Sequence, residues 1–254
     1  MKSRTKIHRF VQAFLYAAFL LLAGQSRVAA QTSQEPLKIT DLRMSNHTGN
    51  SFVISWRTNR PTFNNVLLYG KSSSNLNMIM GDSTISSNKS TVTHYVQLKF
   101  LDANTTYYYK VRSDGVEYAI SPSGVDTVRT FPQVISLTQL LFIGHVINSS
   151  GGRPLERVLV RTYLKSIRPG IGGTTITDST MWFTSLTDVE GYFQHNLANY
   201  RRSTGDLFDY KPGQTWIHIQ LLGSAQGIVT DSVLLTATVN DQLQDVGIFS
   251  LVDA

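Results

Sequence analysis

The chain has 254 residues, no cysteine and a formal net charge of +6. The first thirty residues hold five of the basic residues (Lys2, Arg4, Lys6, Arg9 and Arg27) and no acid, so removing them brings the charge from +6 to +1. That near-neutral remainder excludes an electrostatic case for nucleic-acid binding. The missing cysteine excludes thiol catalysis, cysteine zinc sites and a lipidated N-terminal cysteine.

The basic start is followed by an apolar run from Phe10 to Gly24 and by Val28-Ala29-Ala30-Gln31. The run has the length of a signal-peptide core and is short for a membrane span, and the small residues form an A-x-A-like cleavage site. The expectation is a signal peptide over 1–30, cut between Ala30 and Gln31. An uncleaved anchor is the alternative. The roughly 220 residues that remain suffice for two domains of ordinary size, each held by its core alone.

Residues 31–36 read as a polar linker. A series of short strands follows. In Ser51–Trp56 the residues Phe52, Ile54 and Trp56 share one face. Val66–Tyr69 is a second apolar run ended by Gly70. His94–Leu101 alternates, with Val96 and Leu98 on one side. In Tyr107–Arg112, Tyr107, Tyr109 and Val111 point inward, and Tyr108, Lys110 and Arg112 outward. Thr127–Phe131 closes the set. Short strands of period two, separated by Gly, Asn, Ser and Asp turns, predict an antiparallel sandwich over 37–132. This segment resembles a fibronectin type III domain. Trp56 stands at the family's strand-B tryptophan, and Leu101-Asp-Ala-Asn-Thr-Thr-Tyr107 matches its Leu-x-x-x-Thr-x-Tyr corner, with Ala103 where a proline is usual. That corner implies a core tyrosine whose hydroxyl bonds backbone. Leu68-Tyr69-Gly70 and Asn104–Tyr109 bring it nearer to the fibronectin-like N-terminal domain of purple acid phosphatases.

The second set of strands lies within 139–254: Leu140–Asn148, Val158–Lys165, Met181–Ser185, Tyr192–Leu197, Thr215–Leu222, Ile228–Thr238 and Val246–Val252. A polar, Gly-rich loop is expected over 168–173. In Val158–Lys165 the core parity is Val158, Val160, Thr162 and Leu164, and Trp216 and His218 face away from Ile217 and Ile219. Gly144-His-Val146, Gly152-Arg-Pro-Leu155, Val158-Leu-Val160 and Thr187-Asp-Val-Glu-Gly-Tyr-Phe193 together resemble a carboxypeptidase regulatory-like domain, a transthyretin-like sandwich. The resemblance implies an accessory module without an active site, and Asp188 and Gly191 are expected to close a hairpin. The predicted fold class is all-β, with two tandem antiparallel β-sandwiches.

Catalytic constellations are weak. Gly205-Asp206-Leu207 with Tyr210, and Gly144-His145, look like fragments of a metallophosphatase. They occur in the wrong order, and the remaining ligand segments are missing. The C-terminus lacks the Tyr-Arg-Gly-Ser tail of the transthyretin-like purine hydrolases. Leu140–Asn148 holds no lysine and Val246–Val252 no asparagine for an adhesin-type isopeptide link. His47, His94, His145, His195 and His218 form no close ligand pair. Asp188 and Glu190 read as a turn rather than a calcium site, and Asp206 and Asp209 as a solvated loop. No cofactor and no metal are expected. Asn46, Asn88, Asn104 and Asn148 carry the glycosylation pattern. Tyr108, beside Lys110 and Arg112, and the Trp216/His218 face are the candidate contacts for a partner protein or a surface glycan.

The functional expectation is an exported, non-catalytic interaction or structural module, periplasmic, cell-surface or secreted, and a candidate subunit of a surface assembly. No nucleic acid is expected as a partner, and no membrane span after signal cleavage. The alternative is a carbohydrate-binding or accessory protein of a separate exported enzyme.

Overall fold

The computed structural model describes residues 35–83, 90–133, 140–223, 228–238 and 241–252. The expected signal peptide, its cleavage site at Ala30 and Gln31, and most of the expected linker lie outside these residues. The chain is all-β, and residues 37–254 form one compact unit.

Eight strands come first: β1 (Ile39–Ser45), β2 (Phe52–Thr62), β3 (Asn65–Gly70), β4 (Met78–Gly81), β5 (Thr91–Leu98), β6 (Thr106–Ser113), β7 (Val116–Tyr118) and β8 (Asp126–Arg129). They make a three-stranded sheet, β1-β2-β5, facing the sheet β4-β3-β6-β7 with β8 also on β6. Phe52, Ile54 and Trp56 meet Val96, Leu98, Tyr107, Tyr109 and Val111 between the two sheets. Trp56 donates from Nε1 to Ser113 Oγ at 2.9 Å. The Tyr107 hydroxyl accepts from the Asp102 amide at 3.0 Å, which is the bond the tyrosine corner implies. Asp114-Gly115 joins β6 to β7 with both residues at positive φ (42° and 87°), the backbone that a two-residue hairpin turn demands.

Eight more strands follow: β9 (Leu141–Asn148), β10 (Leu159–Pro169), β11 (Thr175–Ser179), β12 (Phe183–Leu186), β13 (Tyr192–Asn196), β14 (Thr215–Leu222), β15 (Ile228–Leu234) and β16 (Leu243–Leu251). One sheet is β11-β10-β14-β15 with β12 also on β10, and the other is β13-β9-β16. Every pairing is antiparallel except β9 with β16, which is parallel. Their shared core holds Phe142, Val146, Val160, Leu164, Phe193, Ile217, Ile219 and Phe249. Asp188 Oδ1 accepts from the Glu190 and Tyr192 amides, at 3.0 and 2.8 Å, and Gly191 has φ of 79°. A side chain at Gly191 would place its Cβ 2.4 Å from the Val146 carbonyl, so both space and backbone select glycine.

The two sandwiches stack face to face, which the sequence reading did not foresee. Val53 and Tyr95, on the outer side of β2 and β5, pack on Leu159 and Leu222 of β10 and β14. The four sheets therefore run β4-β3-β6-β7, β1-β2-β5, β11-β10-β14-β15, β13-β9-β16, with apolar residues between each adjacent pair. This is why β2 is buried on both faces from Phe52 to Trp56.

Two polar locks cross the junction. Arg161 on β10 is fully buried (0 %) and donates from Nη1 to Asp41 Oδ2 at 2.5 Å, and from Nη2 to the Asp41 carbonyl at 3.1 Å and Ser55 Oγ at 2.9 Å. Asp41 sits at φ of 52° where the β1–β2 register slips, so a bulge turns both its carboxylate and its carbonyl toward the guanidinium. At the other end of β1, Asn46 (φ 50°) offers its side-chain amide to β12 as a backbone would. Its Oδ1 accepts from the Thr184 amide and its Nδ2 donates to the Thr184 carbonyl, while its own amide donates to the Trp182 carbonyl. Phe131 completes the contact, packed where Gly205 has no side chain.

Candidate functional site

Beyond the contact of Val53 and Tyr95 with Leu159 and Leu222, and beyond the buried Arg161, the same face of β10, β14 and β15 is partly or fully exposed. The ladder register fixes what that face displays. Tyr163, His218 and Ser232 form one cross-strand row, and Arg161, Gln220 and Thr230 the next toward the junction. Lys165, Trp216 and Leu234 form the row away from it. The His218 ring stacks on Tyr163 with centroids 4.5 Å apart and an interplanar angle of 11°. Trp182, in the irregular link between β11 and β12, meets Tyr163 edge-on at 4.7 Å. Arg43 of β1 lies over the Trp182 ring at 4.7 Å from its centroid, so the first sandwich fixes this wall.

These rings, with Gln220, Thr230, Asp231 and Ser232, line an open, shallow cleft of about 550 Å³. That volume is in the range of small-molecule sites, and the mix of rings and a few polar groups is what such sites use. His218 Nδ1 pairs with Ser232 Oγ at 2.7 Å, while His218 Nε2 and Gln220 Oε1 have no hydrogen-bond partner in the protein. Burial, and secondarily Lys165, holds His218 below the usual histidine range, so the ring is neutral at neutral pH. Trp216 lies one row beyond the cleft and is 38 % exposed.

The sequence reading placed Trp216 and His218 together, and the structure does the same. Tyr108 is not part of this surface. It is half-buried on the outer side of β6, in a different sheet, beside Thr127. Its neighbours Lys110 and Arg112 both turn to Glu117, at 2.5 and 4.0 Å. Tyr163, Trp182 and Gln220 were missed. Tyr163 was legible as an aromatic on the parity opposite Val160 and Leu164, whereas Trp182, inside the expected strand Met181–Ser185, stands in the irregular stretch between β11 and β12, where alternation does not fix its face.

The other histidines serve the cores and turns. His195 Nδ1 pairs with Thr162 Oγ1 at 2.8 Å and with the Tyr200 hydroxyl at 2.9 Å, and Nε2 with Ser185 Oγ at 2.7 Å. The group looks like a nucleophile and its base. It is sealed in the core between the sheets, where burial lowers His195 to about 3 and raises Tyr200. His94 Nδ1 pairs with Asp82 at 2.7 Å, its Nε2 with Thr58 and Thr62, and its ring stacks on Trp56. His47 stacks on Phe131, and His145 on Tyr192. Among the described residues no group of three or more His, Cys, Asp or Glu is placed to hold a metal ion. Asp206 accepts from Thr204 Oγ1 at 2.7 Å within its loop. Of the glycosylation patterns, Asn46 is buried and spent on Thr184, Asn88 lies outside the described residues, and Asn104 is exposed. No helix among the described residues is long and apolar enough to cross a membrane.

A second cavity, of about 300 Å³, lies at the other end of the junction among Asn46, Thr48, Gln97, Phe131, Asn199 and Arg201. Three of its polar groups are engaged: Asn46 with Thr184, Thr48 with Ser51, and Arg201 with the Ala198 carbonyl at 2.8 Å.

The family described as purple acid phosphatase, N-terminal domain, matches residues 38–130. This is the first sandwich, and it is less than half of the chain. No curated protein matches. Among solved structures, the sensor domain of the anti-sigma factor RsgI4 of Pseudobacteroides cellulosolvens is 23% identical with a TM-score of 0.30, covering 38% of this chain and 95% of that one. A two-domain fibronectin type III segment of chicken tenascin is 14% identical with a TM-score of 0.25, covering 77% of this chain and 98% of that one. BcpA, the major pilin subunit of Bacillus cereus, is 10% identical with a TM-score of 0.25, covering 84% of this chain and 69% of that one.

Proposed function

We propose that the chain is an exported, non-catalytic recognition module of the cell envelope or secreted space. In this reading a leader is cut between Ala30 and Gln31. A fibronectin type III-like module (37–132) and a carboxypeptidase regulatory-like module (139–254) then work as one rigid piece. The observation that carries it is the junction. A tether between independent modules has no use for a fully buried Arg161 fixed by Asp41 and Ser55, or for an asparagine side chain completing the edge of β12. Such a junction holds the outer sheets, loops and open face at constant spacing, which suits display of binding surfaces. The matched family segment is itself a non-catalytic domain. The aspartate-capped turn of Asp188 to Gly191, built as the regulatory-like motif implies, supports the second assignment.

Its partners are proteins or glycans outside the cytoplasm. A part in a surface assembly fits the edge strands β11, β15 and β16, whose outer backbone can take a further strand. The test is to recover the protein from its own cells without overexpression and to measure its compartment, its N-terminal residue and its native mass. The reading expects Gln31 as the N-terminus in an extracytoplasmic fraction. A discrete large complex identifies an assembly subunit, and a single-chain mass identifies a free binding protein. Recovery from the cytoplasm with residues 1–30 intact contradicts it, as does substrate turnover by the clean mature chain.

A further inference from the structure

We propose that the open part of the β10–β14–β15 face binds a neutral oligosaccharide, stacked on Tyr163, Trp182 and Trp216 and hydrogen-bonded through His218, Gln220 and Ser232. This rests on the reading of the chain as a binding module and names the site and the ligand class.

Four features of the surface choose the ligand. First, the rings supply flat apolar area that matches the C–H face of a sugar. Second, the unpaired atoms set the polar requirement. Gln220 Oε1 can only accept, and His218 Nε2 is donor or acceptor according to which ring nitrogen carries the proton. Both atoms are already buried without partners; a hydroxyl, which donates and accepts, satisfies either, whereas a hydrocarbon ligand leaves both unsatisfied. Third, the charges disfavour an anion. The cleft lining holds the Asp231 carboxylate and no cation; Arg161 is buried and held by Asp41, Arg43 covers Trp182, and the one lysine nearby, Lys165, flanks the cleft beside Trp216. A phosphorylated or sulfated sugar, or a nucleic-acid strand, would find no basic track. Fourth, the length suits more than one ring. Trp216 to Gln220 spans four residues of one strand, roughly 13 Å, which fits a short oligosaccharide.

The seating is rigid. Tyr163, His218 and Gln220 stand on the two central strands of the sheet, and Trp182 is fixed from the first sandwich by Arg43. Site and junction are thus continuous, and little ordering is left for the ligand to impose.

The experiment uses the mature chain, from Gln31 on, against an array of neutral gluco-, manno-, xylo- and galacto-oligosaccharides, with calorimetry on any that bind. The proposal expects saturable binding of at least one. Trp216→Ala and Gln220→Leu, both at partly open positions, should each weaken it at least tenfold while unfolding at the wild-type denaturant concentration. Tyr108→Ala, on the far sheet, should leave it unchanged. Absence of binding by every neutral oligosaccharide at millimolar concentration overturns the site. So does binding that survives both cleft substitutions, or capture of a protein partner that Trp216→Ala alone abolishes. In the last case the site would be a protein interface, and the chain would still be an exported binding module.

Discussion

Replacing Asp41 by Asn tests the junction at its most heavily committed residue. Asparagine tolerates the positive φ of this bulge and keeps a side-chain acceptor, so the substitution removes little besides the charge. Arg161 would remain fully buried, bound to the Asp41 carbonyl position and to Ser55 but without a counter-charge. Burial already lowers Arg161 to about 10 even with Asp41 in place, so its desolvation outweighs the pairing. Breaking a buried pair by deleting one partner costs about 3–5 kcal/mol. Asp41 is 26 % exposed and an acceptor survives, so about 2 kcal/mol is expected here, or about 5 °C for a body of this size. Urea unfolding of the mature protein, followed by Trp fluorescence, reads it. Adding Arg161→Met should recover the loss to within about 1 kcal/mol, since an apolar side chain of similar length needs no counter-charge. A midpoint for Asp41→Asn within about 0.5 kcal/mol of wild type would refute the reasoning, as would an Arg161→Met that adds to the damage.

Other consequences follow from particular contacts. His195 takes its proton only near pH 3 when folded but near 6.5 when unfolded. Its contribution is therefore complete above pH 6.5 and is lost as pH falls toward 3, about 3 kcal/mol of it by pH 4.5. His47 and His218, also lowered by burial, act in the same direction. Urea midpoints at pH 7.5 and 4.5 measure this, and equal stability at the two would be inconsistent with a buried neutral His195. Tyr107→Phe removes the acceptor for the Asp102 amide and should cost about 1 kcal/mol without shifting the fold, seen as a lower midpoint with an unchanged far-UV spectrum. Gly144→Ala would place a Cβ 2.4 Å from the Phe193 ring and 3.0 Å from a Val246 methyl, so overpacking should cost about 1–3 kcal/mol by thermal unfolding.

The fold was legible where one physical signal dominated. The alternation Phe52/Ile54/Trp56, the Tyr107 corner and the Asp188–Gly191 hairpin all rest on local rules, and each has its expected structure. Strand β1 was missed because the bulge at Asp41 breaks the period of Ile39 and Leu42. Strand β11 was missed because the polar, Gly-rich stretch from Arg168 contains only the turn of a hairpin, with β10 running on to Pro169 and pairing with β11. The stacking of the sandwiches was not legible. It depends on Val53, Ser55 and Tyr95, which read as a solvent face in one segment, meeting Leu159, Arg161 and Leu222, which read the same way in another. A mid-strand arginine flanked by core residues carried the hint, but its partner lies 120 residues earlier in the chain. The candidate site was half legible for the same reason. Trp216 and His218 share a strand, while Tyr163 and Trp182 join them only through sheet register and the junction.

The measurement that bears most directly on the account is the distance between the two sandwiches in solution. The chain has no native cysteine, so Ser74→Cys in the first sandwich and Ser203→Cys in the second, both exposed, take spin labels without competition. Pulsed electron–electron resonance should give one narrow distance distribution at pH 7.5, and Asp41→Asn should broaden it. A broad distribution in the otherwise wild-type protein would mean modules on a flexible tether, contradicting the rigid display on which the proposed function rests.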